Sequence, residues 1–164
     1  MNLRINLSAP SIDEAIKKLQ DYQKSLDAKA NNLAERLASM GATNVSLEFS
    51  RVLYTGPKDV SVSVEALGNG RYAIIASGET VLIAEFGAGV TYGYGHPENS
   101  KFGMGPGTHP DGVGHWDDPN GWWLPKSKGG EHTYGNPPAM AMYNTEQMLK
   151  KEIRRVAEEV FSSD

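Results

Sequence analysis

The segment from Gly87 to Asn136 holds most of the chain's 18 glycines, all three tryptophans and all four histidines, yet carries no sustained helical or strand period. Packed domains rarely keep an irregular connection longer than about 12 to 15 residues unless that connection performs the function or is disordered. The fold must therefore be built from the two flanks, and function is expected in the insert they carry.

The upstream flank opens with a helix signal. Ser11 followed by Glu14 reads as a capping box, and Asp13 adds favourable charge to a first turn. Ile12, Ile16, Leu19, Tyr22, Leu26, Ala30, Leu33, Leu37 and Met40 then recur in steps of three and four, which places them on one stripe of a helix expected over residues 11–40. Gly41 is placed to end that helix by taking the left-handed conformation. The stripe's regularity also fits a coiled-coil seam, but at about 30 residues the helix is expected to pack across a sheet and to extend toward a neighbouring subunit.

Residues 45–86 read as strands and one short element. Val45, Leu47 and Phe49 alternate with polar residues, as do Val60, Val62, Val64 and Ala66, the period of a sheet with one buried face. Gly56-Pro57 marks a turn between these strands. Gly68-Asn69-Gly70 tolerates positive φ and leads into the extended run Tyr72–Ala76, which makes a hairpin. Residues 80–86 fit a short helix or a buried strand equally well. Downstream, Pro138 suits the first turn of a closing helix over 138–161, with Met142, Leu149, Ile153, Val156 and Val160 on one face. This order predicts an α+β fold: a long N-terminal helix and a C-terminal helix packed on a small antiparallel sheet, one domain over residues 1–164, with residues 87–136 as a long irregular insert rich in Gly, Trp and His.

Composition narrows the function classes. At 164 residues and 39% hydrophobic, the chain can bury one core. No apolar stretch approaches the roughly 18 residues needed to cross a bilayer, and MNLRINLSAP lacks a hydrophobic signal core, so an intracellular protein without membrane contact is expected. The absence of cysteine removes disulfides, thiol catalysis and thiolate metal sites. A net charge of −4 opposes non-specific capture of nucleic acid, and Lys150, Lys151, Arg154 and Arg155 alternate with Glu152, Glu158 and Glu159 as a solvated helix face would.

Within the insert, His96, His109, His115 and His132, with Asp111, Asp117 and Asp118, raise the question of a metal site. None of the histidines has the i, i+4 helical spacing that lets ligands converge, so they are expected as surface or interface residues and no metal is assigned. Ser100 and Ser127 lack the strand-to-helix setting that activates a nucleophile, and adjacent acids such as Asp117-Asp118 are ordinarily just hydrated. Gly103, Gly105 and Gly107 open no helix and form no phosphate cradle. No enzymatic activity and no cofactor is expected. Trp116, Trp122 and Trp123 are large apolar surfaces in a segment too polar to form its own core, so they fold back on the domain, anchor a neighbouring subunit or stack on a glycan.

Two motifs bracket the insert: Glu85, Phe86, Gly87, Ala88 and Gly89 on one side, and Gly135, Asn136, Pro137, Pro138, Ala139, Met140, Ala141, Met142 and Tyr143 on the other. Together with GWWLP, the opening helix and the DVSVSVEALGNG hairpin, they make the chain similar to the minor tail component family of long-tailed bacteriophages over nearly its whole length. The family's common Thr in the acid-Phe-Gly-Thr-Gly element is Ala88 here, and the second small residue after Asn136 is Pro138. The resemblance implies a structural virion protein without catalytic residues, acting in tail completion or head–tail joining. It implies a homo-oligomeric ring around the channel through which DNA passes, assembled in the bacterial cytoplasm and meeting tail-tube, head-closure or connector proteins. The interface candidates on this reading are Glu85, Phe86, Gly87, Gly89, His96, Trp116, Trp122, Trp123, Gly135, Asn136, Pro137 and Met142. The alternative reading is a glycan- or protein-binding virion accessory that uses Trp122, Trp123 and Tyr94.

Overall fold

A computed structural model describes residues 6, 8–51, 59–92, 95–104, 118–128 and 130–162. The elements run α1 (Ala9–Ser50), β1 (Ser61–Gly68), β2 (Arg71–Ser77), α2 (Val81–Phe86), β3 (Trp122–Trp123), β4 (His132–Thr133) and α3 (Ala141–Ser162), with short 3-10 turns at Asn99–Phe102 and Lys126–Lys128. The α+β order is as expected: a long first helix and a closing helix accompany a small antiparallel hairpin.

α1 is longer at both ends than its sequence pattern implied. Ser8 is its N-cap and Pro10 occupies the first turn, so Ser11 lies inside the helix, where its hydroxyl accepts from the Asn6 N–H. The helix also runs through Gly41 to Ser50. Gly41 does not stop it because its missing side chain serves packing: a Cβ there would lie 2.4 Å from Ile74 Cδ1 and 3.0 Å from Leu149 Cδ1. Val45, Leu47 and Phe49, expected as a strand, are therefore helical. Val45 and Phe49 are a full helical turn apart and both buried, whereas Leu47 points out. Three residues of alternation cannot outweigh a helix already propagating with a packed face.

The hairpin forms as expected. Asn69 and Gly70 both take positive φ (52° and 68°), as a type I′ connection requires, and a bulge at Leu67 adjusts the register ahead of the turn. Val62 pairs with Ala76 and Val64 with Ile74, so these four share one face of the sheet. Residues 80–86, open on sequence, form the short helix α2. Asp59 organises its start by accepting from the Glu79 N–H, the Thr80 N–H and the Thr80 hydroxyl.

The core sits where all these elements converge, near the C-terminal end of α1. Val45, Phe49, Ala84 and Ala141 are buried there, flanked by Val60, Val62, Ile74, Ala76, Val81 and Met142. α3 begins at Ala141, three residues after the expected Pro138, and runs antiparallel along α1. Asn44 Nδ2 donates to the buried Thr145 Oγ1 at 2.9 Å, Arg36 meets Glu159 at 2.7 Å, and Lys29 Nζ donates to the Phe161 carbonyl at 3.4 Å. The Arg36 side chain holds the Glu159 carboxyl below its ordinary range, with Arg155 adding to the effect. Val156 and Val160 are buried on the α1-facing side, while Ile153 is half exposed. Among the described residues, no helix is long and apolar enough to cross a membrane.

Candidate functional site

The two motifs that bracket the insert meet as one junction. Ala88 and Asn136 form an antiparallel bridge, with N–H to carbonyl distances of 3.0 and 3.2 Å in the two directions. The last turn of α2 would otherwise leave carbonyls without partners. Instead Asn136 Nδ2 donates to the Ile83 carbonyl at 3.1 Å, Ala139 N–H to Ala84 at 2.7 Å and Met140 N–H to Glu85 at 3.1 Å. Pro137 and Pro138 have no N–H, so the crossing between the two helices leaves no donor to satisfy at those positions.

Glu85 completes the junction from the other direction. Its Oε2 accepts from the Met142 N–H at 2.9 Å and its Oε1 from the Tyr143 N–H at 3.0 Å, so a side chain from the end of α2 caps the start of α3. A carboxylate at a helix N-terminus satisfies free donors and meets the positive end of the dipole. The residue is buried, 4% exposed, which in an apolar setting requires such partners.

His96 supplies a third partner. Its Nδ1 accepts from the Glu98 N–H at 3.1 Å, which assigns the proton of the neutral ring to Nε2, and Nε2 faces Glu85 Oε1 at 3.3 Å. The imidazole lies 4.4 Å from the Phe86 ring and 5.5 Å from Tyr143, centroid to centroid. His96 is thus buried, not the surface residue its turn-rich surroundings suggested. Both ring nitrogens and both carboxylate oxygens are engaged, so the pair is committed to holding α2, α3 and the start of the insert together.

Close backbone contact explains the glycines. Gly135 has φ +99°, and a Cβ there would lie 1.9 Å from the Ala88 carbonyl oxygen; Gly89 has φ +86° and would meet the Tyr134 carbonyl at 2.4 Å. The Trp122 ring closes the same space, 3.1 Å from where that Cβ would sit. Ala88, where the resembled family commonly has Thr, is 4% exposed and contributes through its backbone.

Beyond the junction, β3 and β4 pair Trp122 with Thr133 and Trp123 with His132. Strand alternation separates the tryptophans: Trp122 turns toward Gly89, while Trp123 is 72% exposed. Trp123, His132 and Tyr134 form an exposed edge-on aromatic row, with centroids 5.3 and 5.0 Å apart. A groove of about 420 Å³ opens beside Glu85 and His96, walled by Val81, Leu82, Phe86, Phe102, Met142 and Tyr143.

Of the sequence candidates, Glu85, Phe86, Gly87, Gly89, His96, Gly135, Asn136, Pro137 and Met142 gather at the junction, Trp122 borders it and Trp123 stands apart. Trp116, Tyr94, His109, His115, Asp111 and Asp117 lie outside the described residues. Phe102 and Glu98 were not legible as participants. Phe102 packs 5.6 Å from Phe86 through a 3-10 turn without periodic signal, and Glu98 acts through its backbone N–H. Among the described residues no cluster of His, Asp and Glu could hold a metal ion. No protein-family model matches the chain, and comparison with curated proteins and with solved structures found no match.

Proposed function

We propose that this chain is a structural virion protein of a bacteriophage or prophage neck or tail, serving tail completion or head–tail joining as a ring-forming subunit. The observation that carries this reading is the junction. The two motifs on which the family resemblance rests are nearly fifty residues apart in sequence, yet they form one hydrogen-bonded unit in which the Glu85 carboxylate and the Asn136 amide N–H group tie α2 to the start of α3. Such a unit anchors both ends of the insert and presents its aromatic row outward. Exposed Trp and Tyr are the side chains that most often anchor protein interfaces.

A cyclic ring needs a patch that meets a different patch on the next subunit, and an exposed aromatic row beside the hydrogen-bonded junction provides one. On this reading the neighbours are further copies of the chain and tail-tube, head-closure or connector proteins. DNA passes the lumen without specific contact, in keeping with the net charge of −4. Light scattering and native mass spectrometry, with and without a tail-tube partner, test the reading. Closed rings or co-assembly are expected, and a species no larger than a dimer, with no partner bound, under both conditions overturns it.

The exposed Trp123, His132 and Tyr134 row also favours one second reading, a glycan-binding accessory, because a sugar ring can stack on an exposed aromatic face. Tryptophan fluorescence on titration with host-envelope glycans separates the two: saturable shifts support the accessory role, and silence across a broad panel removes it.

A further inference from the structure

α1 outruns its partner helix. α3 starts beside Asn44 and ends beside Lys29, so about 20 residues of α1, roughly 30 Å of helix, extend past it. Between Ala9 and Leu37 the only buried residue of α1 is Ala15. Ile12, Ile16, Leu19, Tyr22 and Leu26 are 37–50% exposed along this extension.

The stripe follows a strict heptad. Ile12, Leu19, Leu26, Leu33 and Met40 recur every seven residues, and Ile16, Gln23, Ala30 and Leu37 hold the interleaved position. One seam therefore runs from Ile12 to Met40. Along its second half, where α3 lies beside α1, Leu33, Leu37 and Met40 are half-buried and Ala30 stays exposed; the first half continues the same stripe with no other described helix on it. A solitary extension of this length is marginal as a helix in water, since most helical stability comes from a packed apolar face.

We infer that this half of the seam is covered by the α1 extension of a second copy of the chain, running antiparallel. Direction follows from where α3 ends. A parallel partner would bring its own α3 to the same end of the seam, where the first copy's α3 already lies. An antiparallel partner starts where α3 stops and covers the exposed length from the other side. The heptad then sets the register: Ile16 opposes the partner's Leu19, Leu19 the partner's Ile16, and Ile12 the partner's Gln23. On the flanks Asp13 falls beside the partner's Gln20 and Ala15 beside the partner's Tyr22, so no like charges face each other. The insert root lies at the opposite end of α1, beside the start of α3, so the pairing leaves it free. The pairing does not depend on the virion reading.

The intact chain is tested by sedimentation equilibrium and by spin-label distances, which the lack of native cysteine makes simple. A dimer is expected at micromolar concentration. Leu19→Asp should weaken it at least about 100-fold by placing an unpaired charge in the seam, with the thermal midpoint of the core region unchanged. Gln23→Leu should tighten it about tenfold. Lys18→Cys and Ser25→Cys occupy the same heptad position, so a parallel pair gives equal label distances at both. The antiparallel pair gives a distance at Ser25 longer by about 10 to 20 Å. A monomer at about 100 µM, a dimer indifferent to both Leu19→Asp and Gln23→Leu, or equal label distances overturns the inference.

Discussion

Glu85 shows how one side chain can determine the geometry of a whole insert. Its carboxylate accepts from the Met142 and Tyr143 N–H groups and faces His96, so it ties α2, α3 and the start of the insert together. Glu85→Ala should cost about 2–4 kcal/mol, because two charge-assisted bonds are lost and their donors are left in a poorly hydrated place. Glu85→Gln should recover part of that, since one amide oxygen can still accept; urea denaturation of the three proteins checks the order. Gly135 is constrained by backbone instead. With φ +99° and the Ala88 carbonyl in the way of any Cβ, Gly135→Ala should lose about 3 kcal/mol or more and loosen the bridge. Hydrogen exchange at the Ala88 and Asn136 amides reads that loosening directly. The acid and the glycines were legible as a motif; their partners were not, because the bonds join residues up to 58 positions apart.

Among the elements, α1 departs most from its sequence pattern. Glycine after an amphipathic stripe ordinarily ends a helix, but Gly41 lets Ile74 and Leu149 approach the α1 backbone. Gly41→Leu should therefore destabilise the fold by about 2–3 kcal/mol, despite better helix propensity, and thermal unfolding measures it. The start of α2 depends on pH. The Thr80 hydroxyl, above all, and the Glu79 and Thr80 N–H groups hold the Asp59 carboxyl below its usual 3.8. A depressed folded value means that the contribution is fully present above the usual value and is lost as pH falls through the folded one. Wild type should accordingly lose stability progressively below about pH 4, and Asp59→Asn should remove that share of the acid dependence; denaturation midpoints across pH 2–6 show the difference. The hairpin, by contrast, was readable throughout, because Asn69-Gly70 turn chemistry and two-residue alternation are local.

At the scale of the whole molecule, two regions offered for contact lie at opposite ends of α1. The insert root and its aromatic row belong to the end where α3 begins, and the exposed heptad stripe of Ile12, Ile16, Leu19 and Leu26 belongs to the other. On the proposed virion role, Trp123→Ala should leave the melting temperature within about 0.5 kcal/mol equivalent of wild type, since the side chain is mostly exposed. It should lower ring closure or partner co-assembly at least about tenfold, as loss of an interface anchor does. Native mass spectrometry of both proteins at matched concentration decides this.

By itself the amino-acid order determined what depends on neighbours in the chain: an amphipathic helix at each end, the Asn-Gly hairpin, the α+β class and an insert without period. Only tertiary structure decided where α1 ends, that Val45 and Phe49 are helical core, that His96 is buried against Glu85, and which tryptophan faces out. The reason is physical. Short-range patterns set backbone preference, whereas a cap supplied by another helix, a glycine needed for close packing and a buried polar pair depend on groups that meet only once the chain has folded.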